Sequence, residues 1–158
     1  GFLGICNSKF KRIGFNNTCI SNLTAAFCIT YSFIKNDDCF RFLVGGMGDF
    51  DGMCSSAVRR AKRNYPNKQI SLELILPYLT QELNENKSYY EISYDDVVVP
   101  IELAGVHYKS AITKRNRWMV DKSDWMIAFV YRDFGGAYTS LRYAEKKGLQ
   151  IINLAKEI

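Results

Sequence analysis

Along the chain, short apolar runs alternate with stretches whose apolar residues recur at steps of three to four, which predicts strands alternating with helices. Phe2-Leu3-Gly4-Ile5-Cys6 is such a run, closed by Asn7-Ser8, and predicts a strand buried on both faces of a parallel sheet. The loop from Asn7 to Phe10 is then the first to face a ligand. After Gly14, Asn17 and Thr18 cap a helix whose inner stripe is Ile20, Leu23, Phe27, Tyr31 and Ile34. Phe40 to Val44 forms the next strand, and a glycine-rich turn, Gly45-Gly46-Met47-Gly48, leads into a second helix. Met53, Ala57, Val58 and Ala61 mark that helix's inner face, with Arg59, Arg60, Lys62 and Arg63 mostly outside.

Pro66-Asn67 ends the second helix, and Ile70 to Leu76 has the β-favouring composition of a third strand. Thr80 to Asp95, rich in Asn, Glu and Tyr, reads as a long surface loop with room for a helical turn. A short strand follows at Asp96 to Pro100, then a helix from about Lys109 to Lys122. Its predicted inner stripe is Ile112, Asn116, Met119 and Val120, flanked by Lys114, Arg115 and Arg117. Trp125 to Tyr131 is another strand, Gly135-Gly136 a second glycine turn, and Tyr138, Leu141 and Ala144 the inner face of a last helix closed by Gly148. Ile151 to Leu154 is the final strand.

This alternation predicts an α/β fold: a single Rossmann-like domain over residues 1–158, with an open, mostly parallel sheet and helices on both faces. In such a sheet ligands bind outside the carboxyl ends of the strands, where the strand order reverses. Asn7, Ser8, the Gly45 to Asp51 turn and the Gly135 to Thr139 turn are expected to converge there. Glycine turns at helix N-termini let backbone N–H groups close on a phosphate, so the pair suits a phosphate-bearing ligand. Thr139 adds a hydroxyl. Asp51 is placed for a ribose hydroxyl, a water or an ordinary helix cap, and Asp49 has the same ambiguity.

Composition narrows this picture. Hydrophobic residues at 47% and only three prolines indicate a globular chain, and the net charge of +5 is dispersed over helical faces. That balance is compatible with phosphate ligands, while the aromatic-interleaved basic motifs of nucleic-acid modules are not evident. Five cysteines at irregular spacings, none in a CxxC pair, argue against a disulfide framework or a zinc site, so neither metal nor cofactor is expected. No apolar run is long enough to span a bilayer and no secretory signal is evident, so a cytoplasmic protein without membrane contact is expected. The chain has neither the dinucleotide fingerprint after its first strand nor a P-loop. His107, the sole histidine, precedes a helix and reads as a surface or capping residue.

Several motifs together resemble the SLOG superfamily, the Rossmann-like group that includes the LOG phosphoribohydrolases and the YpsA-like (DUF1273) proteins. They are Lys114-Arg115-Asn116-Arg117-Trp118-Met119-Val120-Asp121, Ser123-Asp124, Gly135-Gly136 with Thr139, and Tyr143-Ala144 with Lys146-Lys147-Gly148. Gly45-Gly46-Met47-Gly48-Asp49-Phe50-Asp51 is similar to the YpsA-like glycine turn. The resemblance implies a nucleotide or ADP-ribose-like ligand held by Asn7, Ser8, Gly45, Gly46, Gly48, Asp51, Arg115, Asn116, Gly135, Gly136 and Thr139, and self-association into a dimer or larger homo-oligomer. Lys114, Arg115 or Arg142 is available to neutralise a phosphate, and Tyr89, Tyr90, Tyr94 and Trp118 to anchor a partner. The chain departs from the pattern at two places: neither His nor Arg follows the first strand, and Arg142 stands where LOG enzymes carry glutamate. Cleaving an N-glycosidic bond requires a carboxylate. Two readings therefore stand: a nucleotide-binding or sensing protein, and a LOG-like hydrolase in which Asp51, Asp49 or Asp133 replaces the glutamate.

Overall fold

The structure, a computed structural model, describes residues 1–6, 30, 34 and 38–156. In chain order the elements are β1 (Phe2–Cys6), β2 (Cys39–Val44), α1 (Asp49–Asn64), β3 (Gln69–Ile75), α2 (Gln81–Glu85), α3 (Lys87–Ser93) and β4 (Asp96–Val98). They continue with α4 (Tyr108–Asp121), β5 (Trp125–Ala128), α5 (Gly136–Lys147) and β6 (Gln150–Asn153). The six strands form one sheet in the order β4-β3-β2-β1-β5-β6. β2, β3 and β4 are mutually parallel, as are β5 and β6.

The period-two alternation of each strand sends its side chains to two opposite cores. On one face Leu3, Ile5, Phe40, Phe42, Val44, Leu72, Leu74 and Ile127 pack with Cys54, Val58 and Ala61 of α1, and with Ile34. Thr30 and Ile34 are helical and buried, which agrees with the expected first helix; the rest of that helix, with Asn17 and Thr18, lies outside the described residues. On the other face Phe2, Leu43, Met126 and Ala128 pack with Met119 and Val120 of α4 and Leu141 and Ala144 of α5. Two apolar layers, each sealed by helices, make the α/β architecture that the alternation predicts.

The first strand departs from expectation. β1 runs antiparallel to both neighbours, with Leu3 opposite Val44 and Cys6 opposite Arg41 on one side, and Phe2 opposite Ala128 and Ile5 opposite Trp125 on the other. Cys6 therefore sits at the amino end of β2, and Phe2 sits at the edge that carries the glycine turns. Asn7 and Ser8, expected from sequence to face a ligand, lie outside the described residues; β1 itself runs away from the edge that carries the glycine turns. The physical reason is that an apolar run buried on both faces is equally favourable in either direction; alternation sets which face a side chain takes, not the strand's polarity.

Thr80 to Asp95 forms two short helices, α2 and α3, where a surface loop is expected from sequence. Thr80 caps α2 by accepting from the Leu83 N–H, and Tyr90 and Tyr94 stack at 6.3 Å between ring centres while packing on the α1-side core. Arg59 of α1 lies 5.9 Å from the Tyr94 ring centre. At the chain's far end, Gly148 closes α5 in the left-handed conformation, φ +78°, which a glycine adopts without strain.

Candidate functional site

The chain builds outward from β1 through β2 and β3 to β4, then returns to place β5 and β6 on the other side of β1. Strand order reverses at β1, so the turns after β2 and β5 flank the position where open α/β sheets bind ligands. The first turn is strained in a way only glycine tolerates. Gly46 lies at φ +67° and a Cβ on it would fall 2.5 Å from Leu74 Cδ1, while a Cβ on Gly45 would fall 2.5 Å from Arg115 Nη1. The second turn places Gly135, at φ +90°, before the first residue of α5, with open space around it and around Gly136.

Between these turns is a cavity of about 190 Å³ lined by Gly45, Met47, Asp51, Arg115, Asn116 and Gly136, together with Phe2, Ile112, Met119 and neighbouring backbone. Five of the residues expected from sequence, Gly45, Asp51, Arg115, Asn116 and Gly136, thus meet around one space. Gly46, Gly48 and Gly135 shape the turns without lining the cavity. Thr139 is also outside it: its hydroxyl donates to the Gly135 carbonyl at 3.0 Å within the first turn of α5.

Arg115 is only 2% exposed. Its Nη1 donates to the Gly45 carbonyl at 2.6 Å and to the Ile75 carbonyl at 2.8 Å, and its Nη2 lies 3.4 Å from Met47 Sδ. Through Nη1 the guanidinium ties the ends of β2 and β3 together, while its buried Nε has no hydrogen-bond partner among the described residues. This corrects the expected inner stripe of α4. The buried positions are Ala111, Arg115, Met119 and Val120, whereas Ile112 is exposed and Asn116 half-buried. Asn116 Nδ2 donates to Ser140 Oγ at 3.2 Å, and that hydroxyl donates in turn to the Gly136 carbonyl at 2.9 Å, so the two helices hold the amide in place.

Asp51, in the first turn of α1, is 3% exposed. Its Oδ2 accepts the Met47 N–H at 2.9 Å, and its Oδ1 is buried against Gly1, with no hydrogen-bond partner among the described residues. Burial raises the Asp51 pKa above the ordinary carboxylate value, against the opposing pull of the amino-terminal charge, the Met47 N–H, the Arg115 charge and the Phe2 N–H. Burial likewise lowers the Arg115 pKa, with Asp51 opposing. In both groups desolvation outweighs their mutual attraction. Asp49 and Asp133 are exposed and line no part of the cavity. Lys114 and Arg142 are exposed too, and Arg142 pairs with Glu145 along α5.

Beyond β5 the loop to the second turn is fixed by Asn153. Its Oδ1 accepts the Val130 N–H at 3.0 Å and its Nδ2 donates to the Val130 carbonyl at 2.9 Å, a two-way clamp inside the protein. His107 caps α4, accepting the Lys109 N–H on Nδ1, in agreement with the capping role expected of it. Of the aromatic residues considered as partner anchors, Tyr89 is 59% exposed, while Tyr90, Tyr94 and Trp118 are half-buried against the two cores. Among the described residues no helix is long and apolar enough to cross a membrane.

Sequence reasoning missed Met47 as a structural partner of both Asp51 and Arg115, and Met119 as a cavity wall. For Met119 a signal was present in spacing: Ala111, Arg115 and Met119 recur at intervals of four, one helical stripe, with an arginine in a position that hydropathy counts as polar. No protein-family model matches the chain, and a search of curated proteins finds no match to it.

Proposed function

We propose that the protein binds a nucleotide or a nucleotide derivative of the ADP-ribose type at the carboxyl ends of its parallel strands. The observation that carries this reading is the joint cavity of the two glycine turns, with Asp51, Arg115 and Asn116 in its walls. Gly135 and Gly136 are exposed at the start of α5, where N–H groups and the helix dipole favour an anion. The cavity, at about 190 Å³, is smaller than the ~300–1,000 Å³ typical of pockets that enclose whole ligands, so it suits a pentose-sized part with the remainder outside. A homo-oligomer, as the SLOG resemblance implies, belongs to the same proposal, and light scattering tests it: a monomer at high concentration overturns it.

Thermal shift and calorimetry with adenosine monophosphate and ADP-ribose test the binding. At about a hundred times the dissociation constant, a ligand adds about 2.7 kcal/mol, or roughly 5–10 °C for a chain of this size. Gly136→Val is the informative variant. A Cβ there meets nothing within 4 Å, so the fold tolerates it while the side chain intrudes beside the cavity, and the shift is expected to vanish. No shift with either ligand on the unmodified protein would sink the proposal.

The second reading, hydrolysis of a nucleoside monophosphate, draws on one observation: Asp51 alone among its three candidate carboxylates lines the cavity. Chromatography for free base after incubation with adenosine monophosphate tests it, and binding without base release excludes it.

A further inference from the structure

We infer that Tyr131, Arg132 and Phe134 form a stacking subsite for a planar heterocyclic base that carries an anionic group, an inference that rests on the nucleotide reading above. The three residues lie on the loop between β5 and the second glycine turn. Tyr131 and Phe134 are 68% and 65% exposed, although burying a ring of that size is strongly favourable. Two such rings on one loop make a local apolar surface, unlike the scattered exposure that any protein shows. The loop leaves the sheet from a fixed point, because Asn153 holds both the Val130 N–H and the Val130 carbonyl, at 3.0 and 2.9 Å.

The rings belong to a row. Phe50, in the first turn of α1, stacks on Phe129 at 6.3 Å between centres, and Phe129 meets Tyr131 at 5.7 Å. The Arg132 guanidinium then lies 5.1 Å from the Tyr131 centre and 5.6 Å from the Phe134 centre, within the range of cation–π attraction to both. Phe50 and Phe129 pack against the core, so the row begins inside the protein. It ends in the open at Phe134, whose only ring contact among the described residues is that cation. Arg132 makes no ion pair with a carboxylate among the described residues, so its charge favours an anionic ligand. Exposed rings that share a cation offer a nucleobase a stacking platform, and stacking needs only the base's π face. The position suits the cavity: at about 190 Å³ it takes a pentose-sized part, which leaves the base outside. Phe134 precedes the cavity-lining Gly136 by two residues, so their Cα atoms are at most about 7 Å apart, and a base bonded directly to its pentose spans such a gap.

Calorimetry with adenosine 5′-monophosphate and ribose 5-phosphate tests the inference, since the base is what distinguishes them. The unmodified protein is expected to bind the nucleotide about 5- to 150-fold more tightly, the contribution of one base stacked on an aromatic ring. Tyr131→Ala and Phe134→Ala, with folding checked by circular dichroism, are each expected to weaken the nucleotide at least about fivefold and to leave ribose 5-phosphate unchanged. Should one of the two fail to fold, the other decides. Tyr108, 63% exposed and one turn before the cavity-lining Ile112, has no arginine or lysine over its ring among the described residues, so Tyr108→Ala is the control and is expected to change neither ligand. Equal affinity of the unmodified protein for the two ligands overturns the subsite and leaves the nucleotide reading standing. So does a nucleotide affinity that the loop variants leave unchanged, an equal loss of both ligands, or a loss confined to Tyr108→Ala. If adenosine monophosphate does not bind, ADP-ribose takes its place in the same comparison, and no binding of either overturns both readings.

Discussion

Replacing Arg115 with methionine probes the joint between the two strands that frame the cavity. The substitution keeps an unbranched side chain of similar reach and removes the guanidinium. It abolishes hydrogen bonds of 2.6 Å to the Gly45 carbonyl and 2.8 Å to the Ile75 carbonyl at a residue that is 2% exposed. Two hydrogen bonds from a charged donor contribute about 1.5–3 kcal/mol each, and the carbonyls left behind are inside the protein. Against this stands the recovered cost of burying the guanidinium, which is also what lowers the Arg115 pKa. Removing one member of a buried charged network costs about 3–5 kcal/mol net. For a chain of this length, 1 kcal/mol moves the melting temperature by roughly 2–4 °C, so Arg115→Met should melt about 10 °C lower. Urea denaturation with an unchanged m-value would report the same loss as a lower midpoint. Because Asp51 loses its opposing charge in this variant, Arg115→Met combined with Asp51→Asn should cost less than the sum of the two single changes. A loss below about 1 kcal/mol, or strict additivity with Asp51→Asn, would show that water and relaxation replace the guanidinium and that the network is not what holds the turn.

Asn153→Ala removes both arms of the clamp on Val130 and leaves a buried N–H and C=O without partners, so a loss of about 2–4 kcal/mol in denaturant unfolding is expected. Gly46→Ala places a Cβ 2.5 Å from Leu74 Cδ1 at φ +67° and should cost about 1–3 kcal/mol, whereas Gly136→Ala, in open space, should leave the midpoint within about 0.5 kcal/mol. Burial pushes the Cys6 thiol up to about 11 from 9.0. The folded protein therefore keeps a proton that the unfolded chain releases, and the stability this confers is present below pH 9.0 and lost as pH rises towards about 11. Cys6→Ala should flatten the alkaline slope of the unfolding midpoint, and an unaltered slope would count against the burial argument.

Much of the architecture is legible in the residues themselves. The runs at Phe40 to Val44 and Ile70 to Leu76 announce strands because β-favouring side chains with period two can bury one face or both. Gly148 announces a helix end because only glycine enters the left-handed region freely. Tyr89, Tyr90 and Tyr94 gave no such signal, and α3, which holds the first two and is capped by the third, depends on stacking and on packing against the core. Arg115 was legible as a site residue but not as a buried one. Hydropathy assigns arginine to the surface, and only the convergence of two carbonyls from separate strands makes its burial favourable.

The sequence by itself determined the α/β class, the positions of the two glycine turns and the helices they open, because those depend on local conformational preference and on apolar period. Only the tertiary structure decided that β1 runs against its neighbours, that Arg115 faces inward, and that Asp51, Asn116 and the two turns enclose one space. These depend on which backbone groups from distant segments meet, and on whether a buried charge finds a partner. Residue spacing along the chain carries neither.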